Sequence, residues 1–223
     1  DLRADLLHWA CGRRGLTPDD LAARFPRLPD WIAGTAVPTL KQVEAFADAT
    51  YTPVGYLFLL APPQERVPIP DLRTIGNAKR SHPSPDLLDT LYLCQQRQEW
   101  FREYARTSGL QNMPFVGSLP LTMAPSAAAA VMRDALGFSM AERRRLATWE
   151  AALAGFIQHA DELGVLVMVN GIVGVNTHRK LDPDEFRGFA LADPIAPLVF
   201  VNGADTKAAQ MFTLAHELAH LWC

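Results

Sequence analysis

Three shortages in this sequence each remove a class of protein. Only three cysteines occur, Cys11, Cys94 and Cys223, too widely spaced and odd in number to form a disulfide framework. They suit a reducing compartment, and a cytoplasmic location is expected. Long apolar runs are lacking: the stretch around Tyr56 to Ala61 falls far short of the roughly 20 residues that span a bilayer. No charged and then apolar leader opens the sequence, so no retained secretory signal is expected. Excess charge is lacking too. Twenty-one Lys plus Arg against 24 Asp plus Glu leave a formal net charge of −3 over 223 residues, which does not suit a coater of nucleic-acid polymers. What is present, 49% AVILMFWYC and 20% charged residues, is the composition of a globular protein with apolar mass for one or two domains.

Residues 1–62 read as short helices. Leu2, Leu6, Leu7 and Ala10 recur at helical spacing, and Thr17-Pro18-Asp19-Asp20 carries a cap, a first-turn proline and first-turn acids. Thr39 caps a further helix with Leu40, Val43 and Phe46. Residues 63–85 are proline-rich and predict an extended linker, since each proline removes a donor and biases its predecessor away from helix. Asp86 to Ser108 predicts one long helix, with Leu87, Leu88, Leu91, Cys94, Trp100 and Phe101 inward and Arg97, Gln98 and Arg102 outward. Ala127 to Leu136 and Arg143 to Leu163 predict two more, the second ended by Gly164. Beyond it, Val165 to Val169 and Pro197 to Val201 read as buried strands, closed by Asn170-Gly171 and Asn202-Gly203, with Phe186 to Leu191 a third. A helix starts at Asp205. Net charge is −1 over 1–62, +2 over 63–150 and −4 over 151–223, so the acidity sits in the last third, where a cation site is better served than a phosphate site.

That last helix carries His216-Glu217-Leu218-Ala219-His220. Histidines at i and i+4 share one helical face, so both imidazoles can reach one tetrahedral Zn²⁺. The intervening Glu217 is then placed to act as general base on water. A merely solvated face is the alternative reading, but Leu218 and Ala219 alternate with the histidines in an apolar context.

The segment Leu198 to Asn202 followed by Met211-Phe212-Thr213-Leu214-Ala215-His216-Glu217-Leu218-Ala219-His220-Leu221 resembles the core of the ImmA/IrrE family of bacterial metallopeptidases. Gly15 to Leu60 is similar in order to an XRE-type helix-turn-helix, and Val67-Pro68-Ile69-Pro70-Asp71-Leu72-Arg73 fits the same family. The resemblance implies an α+β, mostly helical protein. It would have an N-terminal HTH-like domain over 1–62, a linker over 63–85, and a zincin-like domain over 86–223 made of a small sheet plus the HExxH helix. The implied activity is zinc-dependent endopeptidase action on a regulatory protein such as a repressor. His216 and His220 would ligate the metal, and Glu217 would be the catalytic base. The family's third ligand, usually an acidic residue on a downstream helix, would lie beyond Cys223. The chain is therefore expected to be truncated at its C-terminus, a fragment with weak or absent activity.

Two residues stand as further ligand candidates. Cys223 lies three positions past His220 on the same face, although i, i+4, i+7 on one straight helix rarely converges on one ion, and a buried apolar cysteine is the ordinary case. His178 falls between the first two strands, where an exposed position is the plainer reading. DNA binding through the N-terminal domain stays open: Arg13, Arg14, Arg24 and Arg27 could line one face, yet the second helix, Arg27 to Gly34, has little net charge. The rival function is a DNA-binding transcription regulator or antitoxin-like component whose zincin-like part is a sensor or scaffold. A toxin–antitoxin or phage-defence protein that acts by binding protein, and a homodimer, also stay open.

Overall fold

The structure, a computed structural model, describes residues 2–65 and 83–223, and most of the proline-rich linker, residues 66–82, lies outside the described residues. The described chain divides into two compact units, residues 2–65 with 83–88, and residues 89–223. Among the described residues no helix is long and apolar enough to cross a membrane.

The first unit holds α1 (Ala4–Arg13), α2 (Leu28–Ile32) and α3 (Leu40–Thr50), with 3-10 turns at Asp19–Leu21 and Val54–Phe58. The helix expected after Thr17 is only that first turn. Thr17 and Asp20 bond each other as a cap should, but Pro26 lacks a donor and disfavours helix at Phe25. Thr39 closes a capping box on α3: its N–H donates to Gln42 Oε1 at 2.8 Å, and its hydroxyl accepts from the Gln42 N–H. Leu7, Cys11, Leu28, Trp31 and Phe46 fill the core, with Phe25 edge-on to Phe46. Two arginines expected along an exposed basic face are used otherwise. Arg13 is buried, paired with Glu65 at 2.7 Å, and donates to the Tyr51 carbonyl; Arg14 donates to the Ala49 carbonyl and lies over the Tyr51 ring. Cations at the C-terminus of α3 satisfy its last carbonyls and its dipole.

In the second unit, α4 (Pro85–Thr107) continues from Asp89. Its sides differ from the expected ones. Trp100 is 70% exposed and Gln98 is buried, its Nε2 donating to the Leu191 and Ala196 carbonyls at 2.9 and 2.8 Å. Leu87, Leu91, Cys94, Gln98 and Ala105 follow the helical period, whereas Trp100 sits two residues, about 200°, from Gln98. Arg102, expected in solvent, pairs with Asp193.

The expected single helix from Arg143 is two, α6 (Met140–Arg145) and α7 (Trp149–Glu162), preceded by α5 (Pro125–Leu136). Leu146 is extended, and the Thr148 hydroxyl caps α7 by accepting from the Ala151 N–H. Five strands follow: β1 (Leu166–Asn170), β2 (Ile172–Val173), β3 (Asn176–Lys180), β4 (Gly188–Leu191) and β5 (Leu198–Asn202), then α8 (Lys207–Trp222). The main sheet has the order β1-β5-β4. β5 runs parallel to β1, with Leu166 opposite Leu198 and Asn170 opposite Asn202, and antiparallel to β4, with Gly188 opposite Val201. All five residues of β5 are buried, as its unbroken apolar run requires. β2 and β3 form a separate ribbon that hydrophobic patterning did not reveal, because Asn176 to Lys180 is polar throughout. The core joins Leu153, Phe156 and Ala160 of α7, Val199 and Val201 of β5, and Leu214, Leu218, Leu221 and Trp222 of α8.

His159 of α7 clasps α6: its Nε2 lies 2.9 Å from Glu142 Oε1. That hydrogen bond, chiefly, holds the imidazole above its ordinary range, helped by the Leu136 backbone and the nearby Glu142 and Glu162 charges against some desolvation. A raised folded-state value means that the contact stabilises fully below the unfolded value of about 6.5 and is lost as pH rises through the folded one. Thermal melts of wild type and His159→Gln should therefore differ most near pH 5.5 and converge by about pH 9; an equal difference at both would contradict this.

Candidate metal centre

The site is assembled where β5 passes into α8. Asn202 ends the strand with its Nδ2 donating to the Phe186 carbonyl at 3.0 Å and its Oδ1 accepting from the Ala204 N–H at 3.0 Å. Gln210 is fully buried, and its Nε2 donates to the Gly203 and Asp205 carbonyls, fastening the first turn of the helix to the loop before it. Thr206 caps the helix by accepting from the Ala209 N–H. The two Asn-Gly turns lie against each other. An ideal Cβ on Gly171 would come 2.9 Å from Ala204 N, and one on Gly203 would come 3.0 Å from the Asn170 carbonyl carbon. At the far end the Leu221 and Trp222 carbonyls, which helix geometry leaves unpaired, accept from the Gly117 and Leu119 N–H groups at 2.9 and 2.8 Å. Phe115 packs on Trp222 with ring centroids 4.4 Å apart.

Held at both ends, α8 distributes its side chains by face. Leu214, Leu218 and Leu221 enter the core. Thr213 and Glu217 are buried beneath β4, where Gly188 leaves room for them: a Cβ there would lie 2.6 Å from the Phe200 carbonyl oxygen, 2.6 Å from Thr213 Cγ2 and 3.2 Å from Glu217 Cγ. His216 and His220 are half-buried on the next face, with Nε2 atoms 3.2 Å apart and rings edge to face. Phe212, 73% exposed, lies parallel to the His216 ring one turn earlier.

The nitrogen separation tests whether an ion fits. A tetrahedral zinc with nitrogens at about 2.0–2.1 Å sets two of them roughly 3.3–3.4 Å apart, close to the spacing found. The imidazole pair therefore matches two corners of such a site. The other two candidates do not join it. His178 is exposed on β3, and Cys223 is exposed at the end of α8. Among the described residues, no group of three or more His, Cys, Asp and Glu side chains comes together in a way that could hold an ion.

Sequence reasoning named the imidazoles and the carboxylate but missed what holds them. Asn202 acts through a side-chain bond to a carbonyl 16 residues away, and Gln210 through bonds to carbonyls in the loop just before its own helix. Gly188 had a legible signal, a glycine inside a strand pattern, which marks the close approach of another element.

Two imidazoles and a carboxylate thus lie on one seated helix beside a small sheet. Residues 160–223 match the family model of Peptidase_M78, the IrrE N-terminal-like domain, which relates this stretch to the ImmA/IrrE metallopeptidases. The match takes in the end of α7, all five strands and α8. No curated protein and no solved structure matches the chain.

Gly188→Ala tests the seating of α8. The added methyl meets a backbone oxygen that cannot rotate away, so it should cost about 1–3 kcal/mol in urea unfolding. An unchanged unfolding midpoint would mean that β4 and α8 are not in this contact.

Proposed function

We propose that α8 is the working element of a zinc-dependent endopeptidase that acts on a regulatory protein. The observation that carries the proposal is the 3.2 Å approach of the His216 and His220 Nε2 atoms, with Glu217 between them in sequence. Those two imidazoles would hold the metal. A bound zinc would supply Lewis acidity toward water and toward the carbonyl oxygen of the scissile bond. Glu217 accepts the proton of the attacking water and delivers it to the departing amine. Its burial beneath β4, only 9% exposed, limits its exchange with bulk water.

β4 is an edge strand of the main sheet among the described residues, and Gly188 lies directly over Glu217. An extended peptide added along that edge would gain main-chain hydrogen bonds and run past the carboxylate, which supports a polypeptide substrate. The exposed Phe212 ring beside His216 offers an apolar neighbour to the substrate's side chains. That the substrate is a regulatory protein rests on the likeness of residues 198–221 to the ImmA/IrrE core and on the match of 160–223. Three free cysteines favour a reducing compartment such as the cytoplasm. With two protein donors converging among the described residues, turnover is expected to be slow, since hydrolytic zinc sites ordinarily use three.

The test is cleavage of an unfolded protein such as casein by zinc-loaded protein over long incubations. Glu217→Gln should keep the bound zinc while losing at least about 100-fold in cleavage rate. Absence of cleavage by the loaded wild type, or the same rate in Glu217→Gln, would overturn the proposal.

A further inference from the structure

Helix α4 turns an aromatic face to solvent, and it does so within the second unit. Trp100 is 70% exposed and Tyr104, one turn on, is 52% exposed. Their ring centroids lie 6.0 Å apart with the planes within 8° of parallel, so the two rings are already ordered as one step on the helix surface. Rigid aromatic side chains lose little conformational freedom when covered, and Trp and Tyr are the residues on which interface energy concentrates.

The polar side chains around this step are not used up within the chain. Arg97 is exposed and enters no ion pair among the described residues; its Nη1 donates to the Met168 sulfur at 3.7 Å, a weak acceptor. Glu103 and Gln96 are exposed, and neither side chain has a hydrogen-bond partner among the described residues. Glu99, at the edge of the face, is already neutralised by Arg102. One arginine and one glutamate balance, so the face has no net charge. A stacking platform for nucleobases sits instead in a basic groove, which this face lacks.

We propose that this face of α4 pairs with its own copy in a second chain, as an antiparallel, two-fold symmetric homodimer. Helix geometry of about 100° and 1.5 Å per residue puts Gln96 and Glu103 about 40° and 60° to one side of Trp100, and Arg97 and Tyr104 about 60° and 40° to the other. A two-fold axis beside Trp100 keeps each side of the seam on its own side and reverses height along the helix. Trp100 then meets the partner's Trp100. Arg97 comes within about 1.5 Å of the height of the partner's Tyr104, and Gln96 within the same distance of the partner's Glu103. Each pairing occurs twice: a guanidinium against an aromatic face, and a carboxamide donating to a carboxylate. Leu93 falls opposite the partner's Thr107. Self-complementarity of this kind is what an isologous interface requires. A parallel pair would instead set Glu103 against the partner's Tyr104, a carboxylate on the negative face of a ring. The seam from Leu93 to Thr107 is about 21 Å long, so the interface is small and the dimer weak and reversible. None of these residues belongs to α8, so the failure of either proposal leaves the other standing.

Sedimentation equilibrium of the full chain tests the pairing. It should show monomer and dimer in exchange with a Kd of roughly 10–100 µM, the range of a small interface. Trp100→Ala should weaken the dimer at least about tenfold, and Arg97→Gln, which removes both guanidinium contacts, about tenfold. Both positions are exposed, so the melting temperature of dilute protein should be unchanged in either variant. Orientation is read by cross-linking in a Cys223→Ser background, which removes the exposed native thiol. Gln96→Cys combined with Glu103→Cys should give a disulfide-linked dimer on oxidation with diamide, and Gln96→Cys alone should not. Three results would overturn the proposal: a monomer at every concentration up to about 300 µM, a dimer indifferent to both Trp100→Ala and Arg97→Gln, or cross-linking by Gln96→Cys alone, which would mean a parallel pair. A monomer that binds another part of its own chain or a different protein through Trp100 falls under the first of these.

Discussion

Helix α8 can bury only part of its circumference, and which part is buried decides where every candidate site residue goes. Successive residues on a helix are turned by about 100°. With Leu214, Leu218 and Leu221 in the core, Glu217 must lie under β4, and His216 and His220 must share the half-exposed face beside it. A rotation by one residue would exchange the imidazoles for Glu217 and bury an unpaired histidine. The leucines set this rotation, and each fully buried leucine is worth about 1.5–3 kcal/mol. Gln210 at one end of the helix, and the Gly117 and Leu119 N–H groups at the other, prevent it from sliding along its own axis.

The strands supply the platform. β5 is central, buried along its whole length, and paired on both sides, so its last residue is held firmly. The three-residue passage between Asn202 and the Thr206 cap inherits that firmness through the Asn202 amide and the packed glycines of the two Asn-Gly turns. Gly188 then allows β4 to approach Thr213 and Glu217 more closely than any residue with a Cβ would permit. The placement of His216, Glu217 and His220 therefore depends on glycines and amides elsewhere in the unit.

Much of this was legible in the sequence wherever one local signal was enough. Two apolar runs closed by Asn-Gly became β1 and β5, Thr39 became the cap of α3, and i,i+4 histidines became a pair of nitrogens 3.2 Å apart. Signals failed where tertiary partners outvoted them. Gln98 turned inward to serve two carbonyls while Trp100 faced out, reversing polarity-based expectation. Arg13 and Arg14 looked like a basic surface and instead close the end of α3. The alanine run 127–130 carried no visible meaning until Ala128 and Ala129 were seen to wall a cavity. In each of these cases the deciding partner lies at another point in the chain, beyond the reach of composition or period.

Whether the two imidazoles bind one ion together is the point on which the functional assignment rests. X-ray absorption at the zinc edge, on protein loaded with one equivalent, counts imidazole scatterers around the metal directly. Two should appear at about 2.0–2.1 Å in the wild type, falling to one in His220→Ala. A first shell that is the same in both proteins would show that zinc, if it binds at all, is held elsewhere, and would contradict the assignment of this helix as the metal centre.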